Sequence, residues 1–298
     1  MINKTAMIAV VGRANVGKST LVNKLTGDKV AIVSPKPQTT RNRIFGVFTY
    51  DDIQMILLDT PGFHKAKNEL GNYMVGIVKE SVTDVDAVIL LVEPVANVGT
   101  QEMMLIDYIK AQNVKSLLVI NKIDTIRTDA LLPVIECYSD YYDFDAIIPI
   151  SAKKENGIDE LIKLLVPYAK PGPQLFPDGM TTDQHEQQII AEILREKLLI
   201  CLDKEIPHGT AVEITKFSER GSEDSPIIDI EATIYFEKKS HKGIIIGKKG
   251  EMLKKIGQYA RADMERFMGA KVNLQTWAKI KENWRDNQSA IRNLGYIK

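Results

Sequence analysis

Gly12-Arg13-Ala14-Asn15-Val16-Gly17-Lys18-Ser19 follows an apolar strand, Met7 to Val11, and opens a helical pattern over Lys18–Thr26. It has the full spacing of a phosphate loop, set between strand and helix as that mechanism requires. Glycine lets the backbone wrap closely, so that successive N–H groups and the helix N-terminus face phosphate charge. Lys18 is placed to reach the β- and γ-phosphates, and the Ser19 hydroxyl to ligate Mg²⁺. Gly12, Asn15, Val16, Gly17 and Thr20 complete the phosphate-side set.

Working outward, the first ~170 residues alternate apolar strands with helical stretches, the signature of βαβ units and a mostly parallel sheet with helices on both faces. The expected strands after the first are Ile53 to Leu58, Ala87 to Val92, Ser116 to Ile120 and Ala146 to Ile150. Helical stretches include Gly99–Gln112 and Asp159–Val166. Ligands of open α/β sheets sit at the carboxyl ends of the strands, and each further motif falls there. Asp59-Thr60-Pro61-Gly62 follows the second strand. Asp59 is placed to hold Mg²⁺ through water, and the Gly62 N–H to meet the γ-phosphate. Asn121-Lys122-Ile123-Asp124 follows the fourth strand. An Asp124 carboxylate accepts from guanine N1–H and the exocyclic amine, a donor pair that adenine lacks. Asn121 braces the loop and the base, and the Lys122 stem lies along the ring. Ser151-Ala152-Lys153, after the fifth strand, offers backbone N–H groups to guanine O6. These elements together read as an α/β P-loop GTPase domain over residues 1–170, with GTP or GDP and Mg²⁺ as ligands.

The cluster Lys170-Pro171-Gly172-Pro173 through Phe176-Pro177-Asp178-Gly179 reads as a linker, taken as 171–182. From Pro171 to Glu237 the chain carries 5 basic and 14 acidic residues; from Lys238 to Lys298 it carries 15 and 5. Net charge is zero, but the last fifth is strongly cationic. Within it, Lys242-Gly243-Ile244-Ile245-Ile246-Gly247-Lys248-Lys249-Gly250 places a GxxG turn between a short apolar helix and a long one, Glu251–Met268. Such a turn clamps the backbone of about four single-stranded nucleotides. Lys248, Lys249 and Lys254 add charge, Gly243, Gly247 and Gly250 permit close approach, and Ile244–Ile246 form an apolar floor for bases. The order helix, strand, strand, helix, GxxG, helix, strand predicts an α+β KH domain of type II over 183–298. The half-buried strand around Ile228 to Phe236 alternates apolar and polar residues. Trp277 and Trp284 read as core and helix-docking residues rather than base platforms.

The nucleotide motifs resemble those of the translation-factor-like small GTPases, and Pro37-Gln38-Thr39-Thr40-Arg41 narrows the resemblance to the Era-like proteins of the TrmE-Era group. The stretch Val272-Asn273-Leu274 through Trp277-Ala278-Lys279-Ile280-Lys281 to Trp284-Arg285 is similar to the C-terminus of the same family, so the likeness covers nearly the whole chain. It implies that Thr40, with Thr39 as the fallback, belongs to the first switch and completes the Mg²⁺ shell beside Ser19 and Asp59. Lys18, Thr40 and Gly62 are then the catalytic set. Phe63 stands where Ras-like GTPases carry a glutamine, which implies slow intrinsic hydrolysis dependent on a partner or an ion. No internal arginine finger is obvious in the sequence, although Arg13, Arg41 and Arg43 lie nearby. Asn15 points to K⁺, since related GTPases with asparagine at this position bind it, the alternative being that it only braces the loop; Ala14 departs from the usual proline.

The family resemblance further implies a cytoplasmic protein that binds the 3′ end of 16S ribosomal RNA and assists small ribosomal subunit assembly; with no coiled-coil pattern or apolar stripe in the sequence, a monomer is expected. GTP would raise RNA affinity and hydrolysis favour release, with peripheral association at the inner face of the cell membrane. An alternative is a GTPase adaptor acting mainly through protein or membrane-surface contacts. A tRNA-modifying relative would need a further domain for which there is no room. Composition fits these expectations: 44% hydrophobic and 26% charged residues, no apolar run near the ~20 residues of a membrane span, and an N-terminus that enters a strand without room for a signal peptide. Cys137 and Cys201 read as buried thiols in a reducing cytoplasm. The four histidines lack metal-ligand spacing.

Overall fold

Alternation of short apolar strands with amphipathic helices builds a parallel sheet, because each crossover must return on the far side of the strand it left. The computed structural model describes residues 2–203, 206–222 and 225–296. They form two compact units, one of Met1–Val33, Pro37–Lys67 and Gly71–Asp183, the other of Ser34–Lys36, Asn68–Leu70 and Gln184–Lys298.

In the first unit the strands are β1 (Lys4–Val11), β2 (Ile44–Tyr50), β3 (Ile53–Asp59), β4 (Ala87–Val92), β5 (Ser116–Ile120), β6 (Ala146–Pro149) and β7 (Lys170–Pro171). Their order is β2-β3-β1-β4-β5-β6, with β7 against the start of β1. All neighbours are parallel except β2 on β3 and β7 on β1. The strands β3, β4 and β5 are buried throughout, as the centre of a sheet covered on both faces must be. Helices α1 (Lys18–Thr26), α2 (Glu69–Val82), α3 (Thr100–Gln112), α4 (Leu131–Ser139) and α5 (Ile158–Leu165) supply the cover. Ile8 and Val10 point into one apolar layer with Leu21 and Leu161. Ala9 and Val11 point into the other, with Val78, Leu105 and Val134.

The edge strand β2, α2 and α4 were not among the sequence expectations. Strand β2 is a hairpin return onto β3 through Asp51 in a left-handed conformation. The proline–glycine segment 171–182, expected as a linker, is docked along the first unit. Gln54, 2% exposed, donates to the Phe176 carbonyl at 2.8 Å and accepts from the N–H groups of Leu175 and Phe176 at 2.8 and 3.0 Å. The N–H of Val47 on β2 bonds to Thr181 O at 2.8 Å. Backbone groups that a free proline-rich tether would leave to water are thus satisfied by the sheet edge.

The second unit runs α6 (Glu186–Cys201), β8 (Thr210–Ser222), β9 (Ser225–Phe236), α7 (Lys239–Ile246), α8 (Glu251–Met268), β10 (Lys271–Ile280) and α9 (Gln288–Asn293). The sheet order is β10-β9-β8, with β10 parallel and β8 antiparallel to β9. Ile228, Ile230, Ala232, Ile234 and Phe236 face a core shared with Ile190, Leu194, Ile256 and Met264, which is the α+β KH arrangement. Trp284 is buried, donates Nε1–H to Gly209 O at 2.9 Å and stacks on Tyr296 at 5.9 Å. Trp277 corrects its expectation: it lies on the wet face of β10 and is 41% exposed. Both cysteines are half-buried free thiols rather than fully buried ones. No helix among the described residues is long and apolar enough to cross a membrane.

Candidate functional site

Three loops that leave the carboxyl ends of β1, β3 and β5 converge, and each is held by backbone-scale constraints. Gly17, at φ 104°, caps α1 and faces Asn121; a Cβ there would lie 2.3 Å from Asn121 Nδ2. Asn121 Nδ2 instead donates to Val16 O at 2.8 Å, while its Oδ1 accepts from the Ala152 N–H at 3.0 Å. One buried side chain therefore ties the phosphate loop, the β5 loop and the β6 loop together. A Cβ on Gly62 would lie 2.6 Å from Ala14 Cα. The steric demand for glycine there thus comes from the phosphate loop itself, in addition to the room a γ-phosphate needs. Phe63 N bonds Gly12 O at 3.0 Å, and the Phe63 ring is core.

Three oxygens expected to surround Mg²⁺ come together. The Ser19 hydroxyl donates to Asp59 Oδ2 at 2.7 Å, and the Thr40 hydroxyl lies 2.8 Å from Ser19 Oγ and 3.3 Å from Asp59 Oδ2. This geometry places the Thr40 hydroxyl in the cluster. Asp59 Oδ1 is buried with no hydrogen-bond partner among the described residues. A buried carboxylate oxygen left without a donor is costly, and beside two hydroxyls it fits a hard divalent cation. Burial pushes the Asp59 carboxyl up to about 6, against the pull of the Ser19 hydrogen bond and the Lys18 charge. Burial also lowers Lys18 to about 8, opposed by Asp59. Lys18 Nζ donates to Arg13 O at 2.8 Å and Gly12 O at 3.2 Å, which holds the ammonium inside the loop.

In the loop after β5, Asp124 is exposed and accepts from Ser151 Oγ at 2.6 Å. That hydrogen bond holds its carboxyl below the usual range and keeps it an acceptor. Lys122 sits at φ 63° and its Nζ meets Glu93 Oε1 at 2.5 Å. Asn15 (φ 67°) and Lys153 are exposed at the rim, and Thr20 follows on α1. The nearby arginines are placed away from a finger role. Arg13 Nε pairs with the buried Glu102 at 2.5 Å, Arg41 is 1% exposed, and Arg43 lies over the Phe45 ring at 4.9 Å. Glu93 and Glu102 were not singled out in the sequence; Glu93 directly follows β4, where the strand-end rule would have found it.

In the second unit the GxxG turn bends sharply: Gly247 has φ 75° and ψ 178°, Lys249 φ 52° and Gly250 φ 84°. A Cβ on Gly247 would lie 2.6 Å from Met252 Cβ. Lys242, Gly243, Lys248, Lys249 and Lys254 are exposed around it. The expected apolar floor is narrower than Ile244–Ile246: Ile244 is 50% exposed and Ile246 partly so, whereas Ile245 is core. Helical geometry turns the middle residue inward.

A phosphate loop, a cluster of Ser19, Thr40 and Asp59 oxygens and the loop expected to read guanine on this sheet, followed by a type II KH fold, define the class: a P-loop GTPase with a C-terminal KH domain. Two family models match, one described as 50S ribosome-binding GTPase over residues 7–122 and one as KH domain over 205–285. GTPase Era of Ruminiclostridium cellulolyticum is 50% identical over 293 residues, 98% of this chain and 97% of that protein. GTPase Era of Clostridium kluyveri is 48% identical over 98% of this chain and 99% of its own. A crystal structure of Era with MgGDPNP and nucleotides 1506–1542 of 16S ribosomal RNA matches with TM-score 0.94 at 37% identity, covering 99% of this chain and all of that one. A variant of Aquifex aeolicus Era bound to GDP·AlF4⁻ matches with TM-score 0.93 at 37% identity, over 99% of this chain and all of its own. The chain belongs to the GTPase Era family.

Proposed function

We propose that this GTPase is a nucleotide-controlled RNA-binding switch that takes the 3′ end of 16S ribosomal RNA on its KH unit and assists assembly of the small ribosomal subunit. The carrying observation is the full-length likeness to an Era bound to both MgGDPNP and that RNA segment. The exposed lysine turn at Gly247–Gly250 supports it.

In this reading Gly12, Asn15, Val16, Gly17, Lys18, Ser19 and Thr20 cradle the phosphates. Asn121, Lys122, Asp124, Ser151, Ala152 and Lys153 hold guanine. Ser19, Thr40 and Asp59 hold Mg²⁺, which supplies positive charge to the phosphate oxygens when bound. Lys18 carries its own charge to the β- and γ-phosphates, and the Gly62 N–H meets the γ-phosphate. Because Phe63 is core and the three arginines are placed elsewhere, fast hydrolysis needs charge from outside the chain in addition to that of Lys18. K⁺ at Asn15 is one source. Turnover in KCl above that in NaCl supports it, and equal turnover removes it.

The γ-phosphate would order the switch segments and shift the population that binds RNA. The experiment is binding of a short RNA copying the 16S 3′ end, in GDP and in a non-hydrolysable GTP analogue, beside anionic vesicles. Tighter RNA binding with the analogue is expected. Binding that ignores the nucleotide removes the switch. Vesicle binding without RNA binding favours the membrane-surface adaptor instead.

A further inference from the structure

Lys122 is held in a left-handed conformation that a non-glycine residue adopts at a cost. Thr125 fixes its carbonyl through both N–H, at 2.9 Å, and Oγ1, at 2.7 Å. Its ammonium is fixed by Glu93 Oε1. The other Glu93 oxygen, Oε2, lies 3.7 Å from the Arg13 guanidinium, whose Nε is paired with Glu102. Arg13 is inside the phosphate loop, and its carbonyl is the nearer of the two acceptors that hold Lys18 Nζ. The chain of contacts Lys122–Glu93–Arg13–Lys18 thus spans from the guanine-reading loop to the phosphate-binding lysine. The one carboxylate in its middle comes from a third strand end, that of β4.

We propose that Glu93 is a positioning residue for the nucleotide: one carboxylate that sets Lys122 at the base end and, through Arg13, the phosphate loop at the other. Neither end needs Glu93 in order to fold. Asn121 already joins the loops through buried hydrogen bonds. Glu93 and Lys122 are about one-third exposed, at 32% and 35%. What Glu93 adds is direction. It aims the Lys122 stem across the sheet toward the loop, along the path where the base lies, and it anchors Arg13 on the side away from the phosphates. The inference rests on the guanine placement proposed above.

The test is displacement of fluorescent GDP from the full-length protein in Mg²⁺, in wild type and in E93Q, which keeps the shape of the side chain and removes its charge. Two partly exposed pairs are lost, so release is expected to accelerate about three- to tenfold. The melting temperature of the nucleotide-free protein stays unchanged, and E93D recovers most of the slow release. In the R13A background E93Q adds less than it does alone, because one of its two partners is already gone. Release at the wild-type rate overturns the proposal. So does faster release matched by an equal loss of nucleotide-free stability, or effects of R13A and E93Q that simply add. D124A separates the two levels of the argument. If D124A still binds GDP as wild type does, the guanine placement itself is wrong; if D124A loses GDP while E93Q does not change, only the role of Glu93 falls.

Discussion

Asp59 accepts the Ser19 hydroxyl on Oδ2 at 2.7 Å and keeps Oδ1 buried without a partner among the described residues. A carboxylate so placed is poorly solvated, which is why its pKa rises from 3.8 to about 6. Between those two values the folded state binds the proton that the unfolded state has released. Stability of the nucleotide-free protein therefore falls as pH rises through this window, by on the order of 3 kcal/mol. Lys18, lowered from 10.5 to about 8, acts in the opposite sense: above about 8 the folded state sheds a proton that the unfolded state keeps, so stability recovers. Urea unfolding of wild type against Asp59→Asn is expected to show the variant more stable at pH 7 and the difference vanishing near pH 4. With Mg²⁺ and GDP the order reverses, because the buried charges then have partners. A wild-type protein at least as stable as the variant at pH 7 without nucleotide would contradict this.

Asn121→Ala removes two buried hydrogen bonds and strands Val16 O and the Ala152 N–H. Each orphaned group costs about 1–3 kcal/mol. Unfolding followed by circular dichroism should show the first unit destabilised by roughly 2–5 kcal/mol, and GDP affinity should fall with it. Asp124→Ala should lose affinity with a smaller loss of stability, since Asp124 is exposed and only the Ser151 hydroxyl loses an acceptor. Equal stability losses in the two variants would deny Asn121 its bracing role.

These residues show what was legible in the sequence. Each motif sits at a strand end, and short-range spacing fixes both the strand and the loop that leaves it, so Lys18, Asp59, Asn121 and Asp124 could be read directly. Spacing alone does not separate Thr40 from Thr39, both of which precede Arg41 in a loop; the family resemblance puts Thr40 first, and its hydroxyl lies 2.8 Å from Ser19 Oγ. Strand β2 was hidden because its hairpin pairing with β3 depends on Asp51 at positive φ and on the partner strand rather than on local pattern. Trp277 was misread because a strand alternates faces: it is in register with Thr233, and which face is wet depends on where α6 and α8 pack. That the linker is docked was hidden for a similar reason. Prolines and glycines report the absence of regular structure, whereas the docking of 171–182 depends on Gln54, 122 residues away from Phe176 in the chain.

Gln54→Ala tests that docking. Three hydrogen bonds to the backbone of Leu175 and Phe176 disappear, while contacts such as Gly172 N–H to Asn3 O, Val47 N–H to Thr181 O and the Phe45–Phe176 ring contact at 6.1 Å remain. Local opening should become easier. Limited proteolysis by chymotrypsin is expected to cut after Leu175, the Phe176–Pro177 bond being resistant, about tenfold faster than in wild type, a ratio corresponding to about 1.4 kcal/mol of lost opening free energy. GTP turnover at saturating nucleotide should change little. Unaltered cleavage would mean that the segment is held by something other than Gln54.

The KH turn separates shape from charge. Gly247→Ala forces a Cβ to within 2.6 Å of Met252 Cβ at a φ of 75°, so the entry to α8 must shift. Gly250→Ala meets nothing within 4 Å and bears only the left-handed cost of about 1 kcal/mol. The first should lose RNA binding at every salt concentration; the second should lose little. The Lys248→Ala, Lys249→Ala double variant keeps the turn's glycines and removes two cations. For a single strand each phosphate contact contributes about 0.7 to the slope of log affinity against log salt, so the slope should fall by about 1.4. Measured over a salt series with the 16S-derived RNA, the lysine variant should thus approach wild type as salt rises, while Gly247→Ala stays parallel to it and displaced. If the lysine variant kept the wild-type slope, neither lysine would touch phosphate. The turn would then be a structural corner, and RNA contact would have to come from the remaining cations between Lys238 and Arg292.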